Sequence, residues 1–334
     1  MGGPLLKKSL VASLSIPLAA LRSVDKNVGG QAVIEGVMIR SPEKVSTSLR
    51  LSDGSIHTKT EPFVSITKKK KILNKPIIRG VISFVEMLVL GIKTLNYSAE
   101  IAARDSENKE PVIADRQSGK LDLAVALTVI FSISMGLAIF FFLPILITQL
   151  LAIPRDAVGF NLVAGAVRML IFLFYIWSLS RFESFRRIFQ YHGAEHKSIF
   201  AFESDLPLKV ESTRGFTTHH PRCGTSFILI VALLAILTYS VSDTVFAVVI
   251  GHPPGLFERF STHLLFLPMV AGLSFELLKL SGKTRSHPVT RFLIAPGLWI
   301  QRITTREPSD DQVEVALTAL KESIAGTYLD PEPA

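Results

Sequence analysis

The segment Tyr191-His-Gly-Ala-Glu-His-Lys197 sets two histidines four residues apart, with a carboxylate just before the second. On a helix, positions i and i+4 share a face, so His192 and His196 point the same way with Glu195 between them. His-x-x-Glu-His is the inverted zincin pattern, in which two imidazoles bind Zn²⁺ or another divalent metal and the carboxylate is the general base. A catalytic metal also needs a third protein ligand and an open position for water. Two candidates for that ligand, His220 and Cys223, lie in His219-His-Pro-Arg-Cys-Gly224, and either suits zinc. A third is Glu276, for the topological reason given below. Glu195 is the candidate catalytic residue. Plainer roles stand beside these. The two histidines could bond headgroups or nearby carbonyls, Pro221 could start a helix capped by His220, and Glu276 could neutralise Arg168.

The chain that must position these residues has 334 residues, 36 Lys+Arg against 28 Asp+Glu, and a formal net charge of +8. Charged residues make up 19%, below the roughly 25% of a soluble domain, and mean hydropathy is +0.40. A single cysteine excludes a disulfide scaffold, and the apolar content excludes a disordered chain. Four apolar stretches are long enough to span the roughly 30 Å of a bilayer core. They are 123–151, kinked near Pro144; 157–180, interrupted only by Arg168; 223–241; and 263–280, with Glu276 and Lys279 near its end.

Lys and Arg concentrate outside those stretches: 19 in residues 1–120, seven in 181–222 and seven in 277–334. The positive-inside bias therefore places both termini and the central loop in the cytoplasm, with Glu276 at the same membrane face as the His/Cys segment. The basic excess marks the anionic inner leaflet, and no nucleic-acid partner is expected.

The rest of the chain divides by composition. Residues 1–26 form a leader. Residues 27–67 alternate in strand fashion over 32–40, 45–51 and 55–64, with Ser52-Asp53-Gly54 as a turn, predicting a small cytoplasmic β-unit of about three strands. Residues 68–120 hold a basic run, a helix over 76–104 and a polar linker. The helix charges Arg79, Glu86, Lys93 and Glu100 recur every seven residues, a polar stripe on an otherwise apolar helix suited to the membrane interface. Residues 121–280 form the transmembrane region, with the His/Cys loop at 181–222 continuing the second span as an amphipathic helix. Residues 281–334 form a cytoplasmic tail that returns along the membrane through Trp299. It then makes a short helix from Ser309, Asp310 and Asp311 to Ile324.

Three stretches together carry a resemblance: 29–40, 191–197 through 220–226, and 296–308. They resemble the YqhQ-like family of bacterial membrane proteins, over residues 27–321. The resemblance implies a metal-dependent enzyme with no assigned substrate. It singles out Glu35, His192, Glu195, His196, His220, Arg222, Cys223 and, within Ala271-Gly-Leu-Ser-Phe-Glu276, the last residue.

The sequence thus predicts a mainly α polytopic protein with about four transmembrane helices, an interfacial amphipathic helix and a small N-terminal β-unit. The expected function is a metal-dependent hydrolase at the cytoplasmic leaflet of the bacterial inner membrane. The alternative is a non-catalytic scaffold or accessory factor in membrane-protein insertion or envelope assembly. Its partners would be the bilayer and an anionic lipid or a membrane protein.

Overall fold

The computed structural model describes residues 28–107, 123–154, 157–221, 223–283 and 287–326. The leader 1–26, most of the polar linker and Arg222 lie outside the described residues.

The N-terminal unit is a four-stranded antiparallel meander: β1 (Gly29–Val33), β2 (Gly36–Arg40), β3 (Lys44–Arg50) and β4 (Ile56–Pro62). Three strands were expected because 32–40 reads as one alternating run. The chain instead turns at Ile34-Glu35, pairing Val33 with Gly36. Glu35 takes φ 53°, a left-handed conformation that glycine or asparagine usually signals, and neither stands there. Alternation sends Val37 and Ile39 to one face of the sheet and Met38 to the other.

Helices cover both faces. After the short α1 (Ile66–Lys69), the long α2 (Ile78–Ser106) lays Leu90 and Ile101 on Val33, Met38, Val45 and Leu49. Its predicted polar stripe is fully engaged, three charges by other elements and the fourth within the helix itself. Arg79 pairs with Glu276, and Glu86 accepts from Ser65 Oγ and the Ile66 amide. Lys93 meets Glu61, and Glu100 meets Arg104.

The first apolar stretch forms α3 (Leu123–Leu137), a π-helical turn (Ala138–Phe142) and α4 (Leu143–Leu150). The irregularity falls beside Pro144, as expected. Pro144 has no N–H to give the Phe140 carbonyl four residues back, and Arg168 Nε donates to that carbonyl at 3.0 Å. The other membrane helices are α5 (Ala157–Leu179), α8 (Gly224–Ile250) and α9 (Leu256–Lys283). Between α5 and α8 come α6 (Glu183–Glu203) and the short α7 (Val210–Thr213), and α10 (Pro288–Thr304) and α11 (Asp310–Ile324) follow.

Among the described residues four helices are long and apolar enough to cross a membrane, over Ile130–Leu150, Val158–Leu179, Ile230–Ile250 and Leu256–Leu278, and the chain is a membrane protein. Two boundaries differ from expectation. The third span runs on past Val241 to Ile250, and the fourth begins at Leu256 instead of 263, so Asp243 and Arg259 lie inside spans. They are tolerated because they compensate each other: Arg259 Nε lies 3.2 Å from Asp243 Oδ2, with both side chains buried. The second span does not continue into the loop helix either. The chain breaks at Ser180–Phe182, where Phe182 is extended, and α6 starts afresh.

Against the sheet face bearing Val37 and Ile39 pack α6 and α11, through Tyr191, Ala194, Ile199, Val313, Ala316 and Leu320. The N-terminal strands, the central loop and the C-terminal helix thus form one body. Ser309 caps α11 with a capping box to Gln312, and Asp310 and Asp311 occupy the first turn, as the sequence indicates.

Candidate metal centre

α6 carries the motif on its buried half: Gly193 through Glu203 are all buried between the sheet and the segments that follow α7 and α10. His192 and His196 lie one turn apart, their ring centroids separated by 4.4 Å. Each ring is held by a backbone carbonyl at Nδ1: Thr304 O at 2.8 Å for His192, and Thr218 O for His196. A carbonyl only accepts, so both Nδ1 atoms carry a proton, and in the neutral form of each ring Nε2 would present the lone pair. This arrangement is the usual outer support of a metal-binding histidine.

Cys223 completes the group from the N-cap position of α8. Its Sγ lies 3.3 Å from His192 Nε2, and the ligand atoms of His192, His196 and Cys223 all fall within 4.8 Å of one another. A tetrahedral ion with bonds of about 2.0–2.3 Å spaces its ligands by about 3.5 Å, so the widest gap closes with roughly 1 Å of side-chain movement. Burial pushes the His196 pKa down to about 4, against an opposing pull from Cys223 and aided by His192. That ring is therefore neutral at pH 7, the form a metal ligand requires.

Glu195, also buried, brings its Oε2 to 3.4 Å from His196 Nε2. β1 makes room for it: a Cβ on Gly30 would stand 3.2 Å from Glu195 Cγ and 2.4 Å from the Met38 carbonyl. Gly193 plays the matching part on the opposite flank. A Cβ there would stand 2.1 Å from the Arg306 carbonyl, and only its absence lets the Thr304–Arg306 turn lie on α6 with Thr304 O in reach of His192. The Arg306 amide fixes that turn on the Phe189 carbonyl at 2.9 Å.

The remaining candidates stand elsewhere. His220 lies behind the group, its ring 5.6 Å from that of His196 and 4.4 Å from that of Phe200. Its Nε2 is 3.6 Å from the buried Glu203 carboxylate, and Gln301 clamps its backbone through both N–H and carbonyl. His220 is thus a supporting neighbour of the site. Glu276 does not join the group. Arg79 binds both of its carboxylate oxygens, tying α9 to α2, an attachment that outcompetes a ligand role for a partly exposed carboxylate. Nor does Glu276 neutralise Arg168, whose guanidinium sits 4.9 Å from the centre of the Phe141 ring. Glu35, marked by the resemblance, turns the β1–β2 hairpin and pairs with Arg187 on α6. Sequence reasoning passed over Thr218 and Thr304, because they act through main-chain oxygens that any residue would supply.

Four membrane-spanning helices joined to a four-stranded sheet with its packed helices define a polytopic membrane protein. A family described as "Protein of unknown function (DUF1385)" matches residues 75–325, and the chain belongs to it. It is 35% identical over 306 residues to the "Uncharacterized protein YqhQ" of Bacillus subtilis (strain 168), covering 88% of this chain and 91% of that protein. No solved structure matches the chain.

Proposed function

We propose that the protein is a metal-dependent hydrolase working at the cytoplasmic face of the bacterial inner membrane, with a peptide or lipid-linked substrate. The observation that carries this reading is the convergence of His192, His196 and Cys223, both imidazoles oriented by carbonyls. His192 Nε2, His196 Nε2 and Cys223 Sγ would hold the ion, zinc being the metal this donor set suits. The chemistry such an ion supplies is Lewis acidity toward water and toward the scissile carbonyl. Glu195, beside the His196 ligand nitrogen, takes the proton from the attacking water and returns it to the leaving group. His220 and Glu203 back the site and keep the His196 ring from turning away. The Lys/Arg bias of the sequence supports the cytoplasmic side.

Metal analysis of protein purified without chelators tests the reading. About one zinc per chain is expected, lost in His192→Ala and retained in Glu195→Gln, with hydrolysis abolished in both. Metal-free wild-type protein would overturn it, and full hydrolytic activity in Glu195→Gln would remove the role given to that carboxylate.

A further inference from the structure

The long helix α2 has three arcs. One faces the sheet and α9, one carries the paired charges, and the third is apolar and uncovered. On that third arc Val85, Leu88, Val89, Ile92 and Leu95 are 43–60% exposed. The apolar run ends where the same arc reaches Asn96, and from Val85 to Leu95 it is about 15 Å long at 1.5 Å per residue, with Ile77 and Ile78 exposed again at the start of the helix. So much contiguous apolar surface marks a contact surface.

Two observations say what covers it. The first is depth. A Cβ on Gly80 would stand 2.2 Å from the Gly272 carbonyl, so α2 and α9 touch backbone to backbone there. Gly272 lies inside the membrane-spanning stretch Leu256–Leu278. The first turn of α2 is therefore at bilayer level, and its uncovered arc continues the lipid-facing side of α9, where Leu265 and Leu277 are exposed. The entry to the helix is fixed at the same point. Ile77, at φ 68° a strained position for a β-branched residue, sets its carbonyl against Gly272. The second observation is charge. Lys68, Lys69, Lys70 and Lys75 are exposed just before α2, interleaved with exposed Ile66, Ile72 and Ile78. Isoleucines among lysines suit an anionic lipid surface, and the same lysines would repel one another across an interface between two copies.

We propose that the outer arc of α2 lies in the interfacial layer of the bilayer, with Lys68, Lys69, Lys70 and Lys75 binding anionic phospholipid headgroups. The helix is thus a strap that holds one face of the sheet at the membrane.

Full-length protein in nanodiscs tests both parts. For depth, Leu88→Trp is made with Trp177 and Trp299 changed to Phe. Quenching of its emission by lipids brominated on the acyl chain is expected. Quenching by aqueous acrylamide instead, or by neither reagent because protein covers the face, would overturn the proposal. For charge, spin-labelled phosphatidylglycerol is compared with spin-labelled phosphatidylcholine. The wild type is expected to prefer the anionic lipid severalfold, and changing the four lysines to Gln, with helicity and thermal unfolding unchanged, is expected to bring the ratio close to one. An unchanged ratio would overturn it.

Discussion

His196 on α6 and His263 on α9 are both fully buried rings beside a carboxylate, the first next to Cys223 at the start of α8 and the second next to Asp243 twenty residues further along that helix. The intervening twenty residues put them about 30 Å apart along that helix. His196 bonds a carbonyl through Nδ1 and leaves Nε2 facing His192 and Cys223. His263 gives its Nε2 to Asp243 at 3.1 Å, and Asp243 is also held by Asn161 at 2.8 Å and by Arg259. The His263 ring stacks on Tyr239 with centroids 4.0 Å apart, and the Arg259 guanidinium sits 3.5 Å above Phe160. One histidine turns a ring nitrogen toward His192 Nε2 and Cys223 Sγ. The other spends its nitrogen on a hydrogen bond to a carboxylate already paired with Arg259. Burial and a nearby carboxylate are common to both, so neither distinguishes them; the convergence with His192 and Cys223 does.

Substitutions can break that contrast. The largest effect is expected at the bundle end. Asp243→Ala leaves Arg259 buried without its counter-ion, and unfolding in detergent should show a loss of about 3–5 kcal/mol with metal content per folded chain unchanged. Metal loss without destabilisation would mean that the two ends are coupled. Gly193→Ala should do the reverse. Displacing the Thr304–Arg306 turn frees the His192 ring, and metal affinity measured by competition with a chelator should fall about 10–100-fold. Unaltered affinity would show that the carbonyl does not set the ring. The smallest effect is expected from Tyr239→Phe, which keeps the stack on His263 and removes a buried hydroxyl that has no hydrogen-bond partner among the described residues. Its stability should stay within about 0.5 kcal/mol of wild type. A cost several times larger would reveal a bond made by that hydroxyl and give this end of the bundle a more specific role.

Much of the candidate site was legible in the sequence, because helical periodicity alone puts His192 and His196 on one face and Cys223 starts the next membrane helix. The cap of α11 was legible for the same reason: Ser309, Asp310, Asp311 and Gln312 act locally. What escaped depends on contacts between distant segments. Reading charges as span ends misplaced both boundaries near 242–262, since Asp243 and Arg259 cancel only once α8 and α9 are packed. Glu276 looked available until Arg79, 197 positions earlier, took it. The Ile34-Glu35 turn carries no turn residue, because its strained backbone is held by the β1–β2 ladder and by Arg187.

The sheet leans on a helix made long after its strands. Val37 and Ile39 pack on Val313, Ala316 and Leu320, while Arg50 grips Glu314 and Lys44 reaches the Ala325 carbonyl, 281 positions away. At ordinary synthesis rates those strands wait on the order of tens of seconds for their cover, during which all four spans leave the ribosome. The wall behind His192 and His196 is thus completed only after the bundle has been delivered to the bilayer, so a metal would be captured by a chain already in its membrane.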